Sequence, residues 1–499
     1  MKGKWHIWAL IGIFLLVFAS RAYIATQSNL FSDDDSYFTL REVESISSTG
    51  TPLIYDPLSF GGRTLIFSPL FYYLLAGVFV AAKNLIALKI FTNLLASTVV
   101  VAGFLIAYEL SKSRKIALLT AFISGFIPIY YQETVNSLSI YSLTLPLTFF
   151  SIYYLMMINK DRKYYTHFLV LLSLLIISSP TSIIFVLGIL FFLVLAKLEK
   201  IELSNANIEI LIVSTFFYLW LHFLLYKKAI LFHGPAIIWQ NIPKAYLYQY
   251  FSDITILQAV YLIGIVPFVL GTYTAYVYVT QEKSLNLYII IGCASSLFLL
   301  LWFKLIPFMT GLMFLGGFLV LLISQYFKSF YDYIKHTKFL KFEAYATIGF
   351  ILLIIASSAV PSVILGLRKL DNTPKKDSLD AYSWLQKNKN PTDVVLSSEK
   401  EGHALAYFAG VKTVMDDNFL LVSNIDQRLS NVERIYKTRF VDEALTLSSN
   451  YDVTYIMVDN YTRQEYGVDD LFYSNDYCVY PVYTNPEVKI YKITCGEGK

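Results

Sequence analysis

The densest run of acid in the chain is Ser32-Asp33-Asp34-Asp35-Ser36, continued by Tyr37-Phe38-Thr39-Leu40-Arg41-Glu42. Three adjacent carboxylates repel one another, so the run suits a cation, a partner base or a solvated helix cap. Behind it Tyr37, Leu40, Val43 and Ile46 recur at helical spacing, which predicts a short helix with one apolar face. Asp33 to Asp35 then stand at its N-terminus, where the helix dipole favours negative charge. Spacing alone favours that capped helix over a reactive site. A second polar segment, Gln132-Glu133-Thr134-Val135-Asn136-Ser137, carries Glu133 as its one carboxylate, either a partner acid or part of an ordinary polar loop. Cations that could meet an anionic ligand outside the apolar runs are few: Arg41, Arg63, Lys244 and Lys304. Lys304, between Phe303 and Leu305, either snorkels to an interface or faces a polar cavity. No Gly-rich phosphate loop, CxxC pair, HExxH or GxSxG is present.

The elements that must position these residues are mostly membrane helices. Hydrophobic residues make up 56% of the 499 and charged residues 15%, against roughly 25% charged in soluble domains. Apolar runs long enough to cross a ~30 Å hydrocarbon layer recur from Trp5 to about Gly366 and then stop. The polar stretch from Arg368 to Asp377, with Pro374, marks the boundary between a membrane domain, residues 1–367, and a polar domain, residues 368–499. The first run follows Lys2 and Lys4 and lacks a small-residue cleavage site, so it reads as a retained helix. Cations cluster at Lys112, Arg114 and Lys115; at Lys160, Arg162 and Lys163; at Lys197 and Lys200; at Lys283; and at Lys328, Lys335, Lys338 and Lys341. The positive-inside rule assigns these and the N-terminus to the cytoplasm. Residues 67–82 are short for a span and open with Ser68-Pro69, so they read as a re-entrant or interfacial helix on the outer face. Eleven spans then begin near residues 5, 84, 115, 138, 164, 181, 208, 255, 285, 305 and 342, and the odd count puts the polar domain outside the cell membrane. Residues 27–63, 132–137 and 227–253 become the outer loops.

In the polar domain, periods of 3.6 and 2 alternate, as in a small α/β fold. Helices are expected at residues 379–386, 403–409, 425–438 and 441–447, strands at 394–397, 413–415 and 454–458, and a terminal hairpin turning at Asn485-Pro486. His403, Asp416, Asp417 and Asp459 follow strands or sit at turns and read as caps and turn residues. Of three cysteines, Cys293 lies inside an apolar run and serves packing, whereas Cys478 and Cys495 flank the hairpin and are placed to bridge. Asn460-Tyr461-Thr462 is a sequon, making Asn460 a candidate glycan acceptor.

Asp35-Ser36-Tyr37-Phe38-Thr39-Leu40-Arg41 resembles the Asp-x-[Trp/Tyr]-Tyr-x-x-Arg stretch in the first outer loop of oligosaccharyltransferase catalytic subunits. Those subunits belong to the C-type membrane glycosyltransferases, which use polyprenyl (dolichyl) phosphate donors. Gly50-Thr51-Pro52, Gly61-Gly62-Arg63 and Ser68-Pro69-Leu70-Phe71-Tyr72-Tyr73 follow in the family's order. The motif match is confined to residues 33–73. The resemblance implies a sugar or glycan moved from a polyprenyl-phosphate donor to an acceptor at the outer face. Asp35, or its neighbour Asp34, would bind a divalent metal (Mg or Mn) or deprotonate the acceptor. Glu133 would replace the family's second acid in catalysis or at the metal, and Arg41, Arg63, Lys244 and Lys304 would face the donor phosphate. The chain departs from the family where Trp-Trp-Asp-Tyr-Gly should follow the first strand of the outer domain. Asp393-Val394-Val395-Leu396-Ser397 leads instead into Ser398-Glu399-Lys400-Glu401-Gly402-His403, and only the glycine survives. That argues against an asparagine-sequon acceptor and for a lipid, a polysaccharide or another protein residue.

Two other classes compete: a multi-pass transporter and a non-catalytic membrane scaffold. Against the transporter stand the lack of an internal repeat and the near absence of charge in the middle of the spans. Nucleic acid is excluded as a partner, because the net charge is only +4 and no basic face carries interleaved aromatics.

Overall fold

The computed structural model describes residues 5–158, 160–203, 205–251, 254–337, 343–474 and 477–495. Lys2, Lys4, Lys338 and Lys341 of the cation pattern, and the start of the last expected span, lie outside the described residues. The chain divides into two compact units. One comprises Met1–Asn29, Ser68–Leu225 and Tyr250–Asp371. The other gathers Leu30–Phe67, Tyr226–Gln249 and Asn372–Lys499, so two loops distant in sequence join the polar C-terminal part.

The first unit is helical. Among the described residues, eight helices are long and apolar enough to cross a membrane, or up to ten if each of two bent pairs is one span. This is fewer than eleven, because Tyr164–Ser178 has only 15 residues, short of the ~20 that a crossing needs. Breaks have local causes. Ile256–Ile263 and Ile265–Thr280 meet at 93° around Gly264. That glycine takes φ 98°, where a side chain would be strained and a Cβ would lie 2.9 Å from Ser358 Oγ. Arg114–Gly125 and Pro128–Thr134 meet at 43°, with Pro128 at the first position of the second helix, where its missing N–H costs nothing. The apolar segment opening with Ser68-Pro69 forms the 13-residue helix Leu70–Ala82, too short to span.

Close helix contacts rest on small residues, as where lipid replaces water as solvent. A Cβ on Gly188 would lie 2.5 Å from Cys293 Sγ, and one on Gly292 2.7 Å from the Phe192 nitrogen. Cys293 is buried and free, a packing thiol. Two cations are nonetheless fully buried here. Arg21, near the end of Trp5–Ala25, donates to Asn93 (3.1 Å) and Thr134 and lies 4.6 Å from the Tyr131 ring centroid. Lys89, the fifth residue of Leu85–Ser97, donates to the Ala25 and Ser28 carbonyls and to Asn136. Both stand near helix ends and not in the middle of the spans.

The second unit is built on sheets. A two-stranded ribbon pairs β1 (Tyr55–Asp56) with β2 (Arg63–Thr64), and a five-stranded sheet runs β4-β3-β5-β7-β6. Its strands are β3 (Val394–Leu396), β4 (Lys412–Thr413), β5 (Val453–Val458), β6 (Val479–Thr484) and β7 (Lys489–Ile493). β4, β3 and β5 are parallel, with helices in the crossovers, and β7 and β6 are antiparallel. Helices Lys376–Asn388, Gly402–Phe408, Ile425–Lys437 and Val441–Ser449 fall where helical periodicity places them. The amphipathic Ile425–Lys437 buries Leu429, Val432, Ile435 and Tyr436 on the sheet. The β6–β7 hairpin is closed by a disulfide between Cys478 and Cys495, Cα atoms 4.8 Å apart. Phe60, from the ribbon loop, enters the same apolar core as Val394, Val414 and Ile435. The Thr413 N–H donates to the Leu58 carbonyl at 2.8 Å, and Asn241 Nδ2 to the Phe419 and Val422 carbonyls at 2.8 and 2.9 Å. These contacts explain why residues 30–67 and 226–249 belong to this unit.

Candidate active site

The acid run opens helix Asp35–Thr49, whose buried side includes Tyr37, Leu40, Val43 and Ile46. Asp34 occupies the N-cap position, but its side chain makes no bond to its own helix. Its carboxylate accepts instead from the backbone N–H groups of His403 (2.8 Å) and Ala404 (2.7 Å), at the start of Gly402–Phe408. Asp33 takes the Ser36 hydroxyl. Burial pushes the Asp34 carboxyl well above the usual carboxylate range, against the opposing pull of the His403 charge. Asp35 is exposed, so solvent screens part of what it feels. The Asp417 carboxylate and then desolvation still push it up to about 8.

His403 links the acids. Its ring is buried and tilted 5.1 Å from that of Phe38, with Nε2 3.1 Å from Asp417 Oδ1 and 3.8 Å from Asp416 Oδ1. Burial alone would lower its pKa, but Asp416, Asp417 and Asp34 together raise it to about 10. Asp416 is also buried: it accepts from Arg63 (2.9 Å), from the Ser59 hydroxyl and from the Asn418 N–H (3.0 Å). His403, Asp416 and Asp417, expected as caps and turn residues, also make side-chain contacts with one another, and Asp416 does close a turn through the Asn418 N–H. The His403 N–H reaches Asp34 across 369 residues of sequence, a separation no local pattern encodes. Asp459 does cap a helix, sharing a reciprocal capping box with Thr462.

Gly402 explains its own retention. A Cβ there would lie 2.7 Å from Asp416 Cβ and press on the Met415 carbonyl, so only glycine lets the helix begin against that strand end. The residue after it, His403, is thereby set beside Asp416 and Asp417. Adjacency to the one surviving glycine was the signal in the sequence that could have pointed to it.

The other expected site residues are dispersed. Arg41 holds Asp56 with both guanidinium nitrogens (2.5 and 2.8 Å). Burial would raise the Asp56 carboxyl, but Arg41 overrides it and holds it below the usual range. Arg63 is buried and spent on Asp416, Ser59 and the Leu420 carbonyl (2.8 Å). Lys244 is exposed, and its backbone N–H donates to Asp426 at 2.7 Å. Glu133 and Lys304 belong to the helical unit. Glu133 is half-buried and accepts from Gln132 at 3.4 Å, and Lys304 Nζ lies 5.8 Å from the Phe251 ring centroid. Asn460 is exposed, while the Thr462 hydroxyl of its sequon is buried in the capping box.

Across Ser398 to Glu401, where the resemblance expects Trp-Trp-Asp-Tyr, this chain buries Ser398, Glu399 and Glu401. Ser398 donates to Glu465 at 2.7 Å, Tyr382 to Glu401 at 3.0 Å, and Glu399 is buried and raised to about 8 by desolvation and by Glu465. Among the described residues, one group has donor atoms close enough to share a metal ion. Asp34, His403 and Asp417 each place a ligand atom within 4.8 Å of the others.

No family profile and no curated protein matches the sequence. Solved structures do match. The Archaeoglobus fulgidus oligosaccharyltransferase, tethered to an acceptor peptide containing the NVT sequon, aligns over 93% of this chain and 70% of its own, with TM-score 0.70 and 14% identity. The same archaeal enzyme, AglB, in complex with an inhibitory peptide and a dolichol-phosphate aligns with TM-score 0.68 over the same shares, again at 14% identity. ArnT from Cupriavidus metallidurans, bound to undecaprenyl phosphate, aligns over 99% of both chains with TM-score 0.53 and 10% identity. The fold is that of the oligosaccharyltransferase. The family resemblance carried by residues 33–73 thus holds at the level of the whole fold, and at these identities it speaks for fold alone.

Proposed function

We propose that this chain is a membrane glycosyltransferase that moves a sugar from a polyprenyl-phosphate donor to an acceptor at the outer face of the membrane. The observation that carries this reading is Asp35: an exposed carboxylate at a helix start, beside the His403, Asp416 and Asp417 cluster, in a chain with the fold of an oligosaccharyltransferase. Its neighbours in fold were captured with dolichol-phosphate and undecaprenyl phosphate, which supports a lipid phosphate as the donor's carrier. In such a transfer the acceptor nucleophile attacks the anomeric carbon, the bond to the phosphate oxygen breaks, and the acceptor's proton passes to a base. Asp35, held near neutrality by Asp417, suits that proton transfer. The departing phosphate needs positive charge beside it. Lys244, in the same compact unit as Asp35, is the candidate for that role, since Arg41 and Arg63 are already bound to Asp56 and Asp416.

The acceptor reading follows from residues 398–403. Ser398, Glu399 and Glu401 are buried, and no tryptophan pair is there to receive a sequon side chain. A lipid, a polysaccharide or a protein residue other than asparagine fits this chain better. The test is transfer from a radiolabelled polyprenyl-phosphate sugar to membrane acceptors by the purified chain. Label should enter lipid or polysaccharide, and a sequon peptide should stay unlabelled. If Asp35→Ala and Asp34→Ala both transfer at the wild-type rate, the loop has no catalytic role. Solute flux in proteoliposomes with no transfer would make the chain a transporter.

A further inference from the structure

The acids around His403 are more than their cations can neutralise. Four carboxylates, Asp34, Asp35, Asp416 and Asp417, gather about His403, and Arg63, already paired with Asp416, is the fixed cation beside them. Clustered carboxylates of this kind are stable when a cation joins them. The donor set is already organised. Asp34 is fixed by two backbone N–H bonds, one to each oxygen, which leaves each oxygen a further lone pair for a metal. His403 is buried, with its ring packed against Phe38 and its chain position fixed by Gly402. Asp417 is 38% exposed, which gives an ion a way in. Asp34 comes from residues 30–67 and the other two from the C-terminal part of the same compact unit.

We propose that Asp34, His403 and Asp417 bind one divalent cation that ties the acidic loop to the start of helix Gly402–Phe408, leaving Asp35 outside the coordination sphere and free to face substrate. The motif resemblance implies a metal on Asp35, or its neighbour Asp34, with Glu133; this site keeps Asp34 and takes His403 and Asp417 as its other ligands. Its chemistry differs too. One imidazole and two carboxylates suit Mn or Zn, whereas Mg prefers an all-oxygen shell and sheds water reluctantly. Three protein ligands leave at least one position to water. The ion would act by position and charge: it would offset the surplus of carboxylates and hold the residue before Asp35 in place.

The inference deepens the transfer reading but is tested without it, by metal binding to the full-length protein in detergent with no sugar donor present. After chelation and titration with Mn, the wild type should take up one ion per chain. Its pulsed electron paramagnetic resonance spectrum should show coupling to an imidazole nitrogen. Asp417→Asn, at an exposed position, should weaken binding by at least about ten-fold with the thermal midpoint recorded alongside. His403→Gln should abolish the nitrogen coupling, and Asp35→Asn should retain it. Any of three results overturns the proposal: no saturable Mn or Zn binding at millimolar metal, a bound ion without nitrogen coupling, or loss of that coupling in Asp35→Asn with His403 unchanged. A wild type that binds Mn in this way but transfers no sugar would leave the site standing and refute only the enzymatic reading.

Discussion

Asp34 and Asp35 are neighbours in sequence with opposite surroundings. Asp34 is anchored to the His403 and Ala404 amides, and Asp35 is exposed and repelled by Asp417. Replacing Asp34 should therefore disturb position and stability, and replacing Asp35 should disturb chemistry. We expect Asp34→Asn to lower the thermal midpoint while Asp35→Asn leaves it within error, as differential scanning fluorimetry would show. A second buried acid gives a pH test away from the cluster. Glu42 has one oxygen bound to the Leu53 N–H at 2.9 Å and the other without a partner, and burial raises its carboxyl to about 8. The fold holds the proton that an unfolded chain loses above the ordinary value of 4.5. The stability this contributes is full below that pH and is lost as pH rises through about 8. Glu42→Gln should match the wild type near pH 4.5 and melt higher than it at pH 8. Equal midpoints at both pH values would show that Glu42 is not held neutral.

Two connections between elements can be broken singly. Arg63 and Asp416 form a buried pair joining the ribbon loop to the end of the parallel strands. Removing one partner leaves the other charge buried and alone, which typically costs about 3–5 kcal/mol. Arg63→Met should thus lower the unfolding midpoint sharply, and more than Arg41→Met. Gly402→Ala should shift the start of its helix away from Met415 and Asp416, seen as increased hydrogen exchange at residues 403–408. The Cys478–Cys495 bridge closes a loop of sequence separation 17, and a loop of that size adds about 3 kcal/mol when crosslinked. Reduction should loosen the β6–β7 hairpin without altering Asp34 and its partners.

Much of this level was legible beforehand, because it depends on period and on caps. Tyr37, Leu40, Val43 and Ile46 declared their helix, the Val394 and Thr454 runs their strands, and Asp459 its cap. What stayed hidden was long-range: Asp34 bonding to the amides of a different helix, and Arg63 reaching Asp416 instead of an open anion site. Among the described residues, eight to ten helices pass as spans where hydropathy gave eleven, and this too has a physical reason. Hydropathy registers apolar length, whereas Tyr164–Ser178 has only 15 residues and Gly264 and Pro128 break two further runs into bent pairs.

At the scale of the whole molecule, the chain combines a helical unit that buries Arg21 and Lys89 near helix ends with a mixed unit whose acids converge on His403. Its fold is shared with an archaeal oligosaccharyltransferase, yet buried Ser398 and Glu399 stand where the resemblance expects that family's tryptophans. Scaffold, transporter and transferase diverge at one residue. The decisive measurement is single-turnover transfer from a radiolabelled polyprenyl-phosphate sugar by wild type and by Asp35→Asn, with the thermal midpoint of each recorded alongside. The wild type should transfer, and the variant, equally folded, should be slower by at least about 100-fold, the usual weight of a positioned acid–base group. Equal rates from an intact Asp35→Asn protein would contradict the assignment of this loop as catalytic.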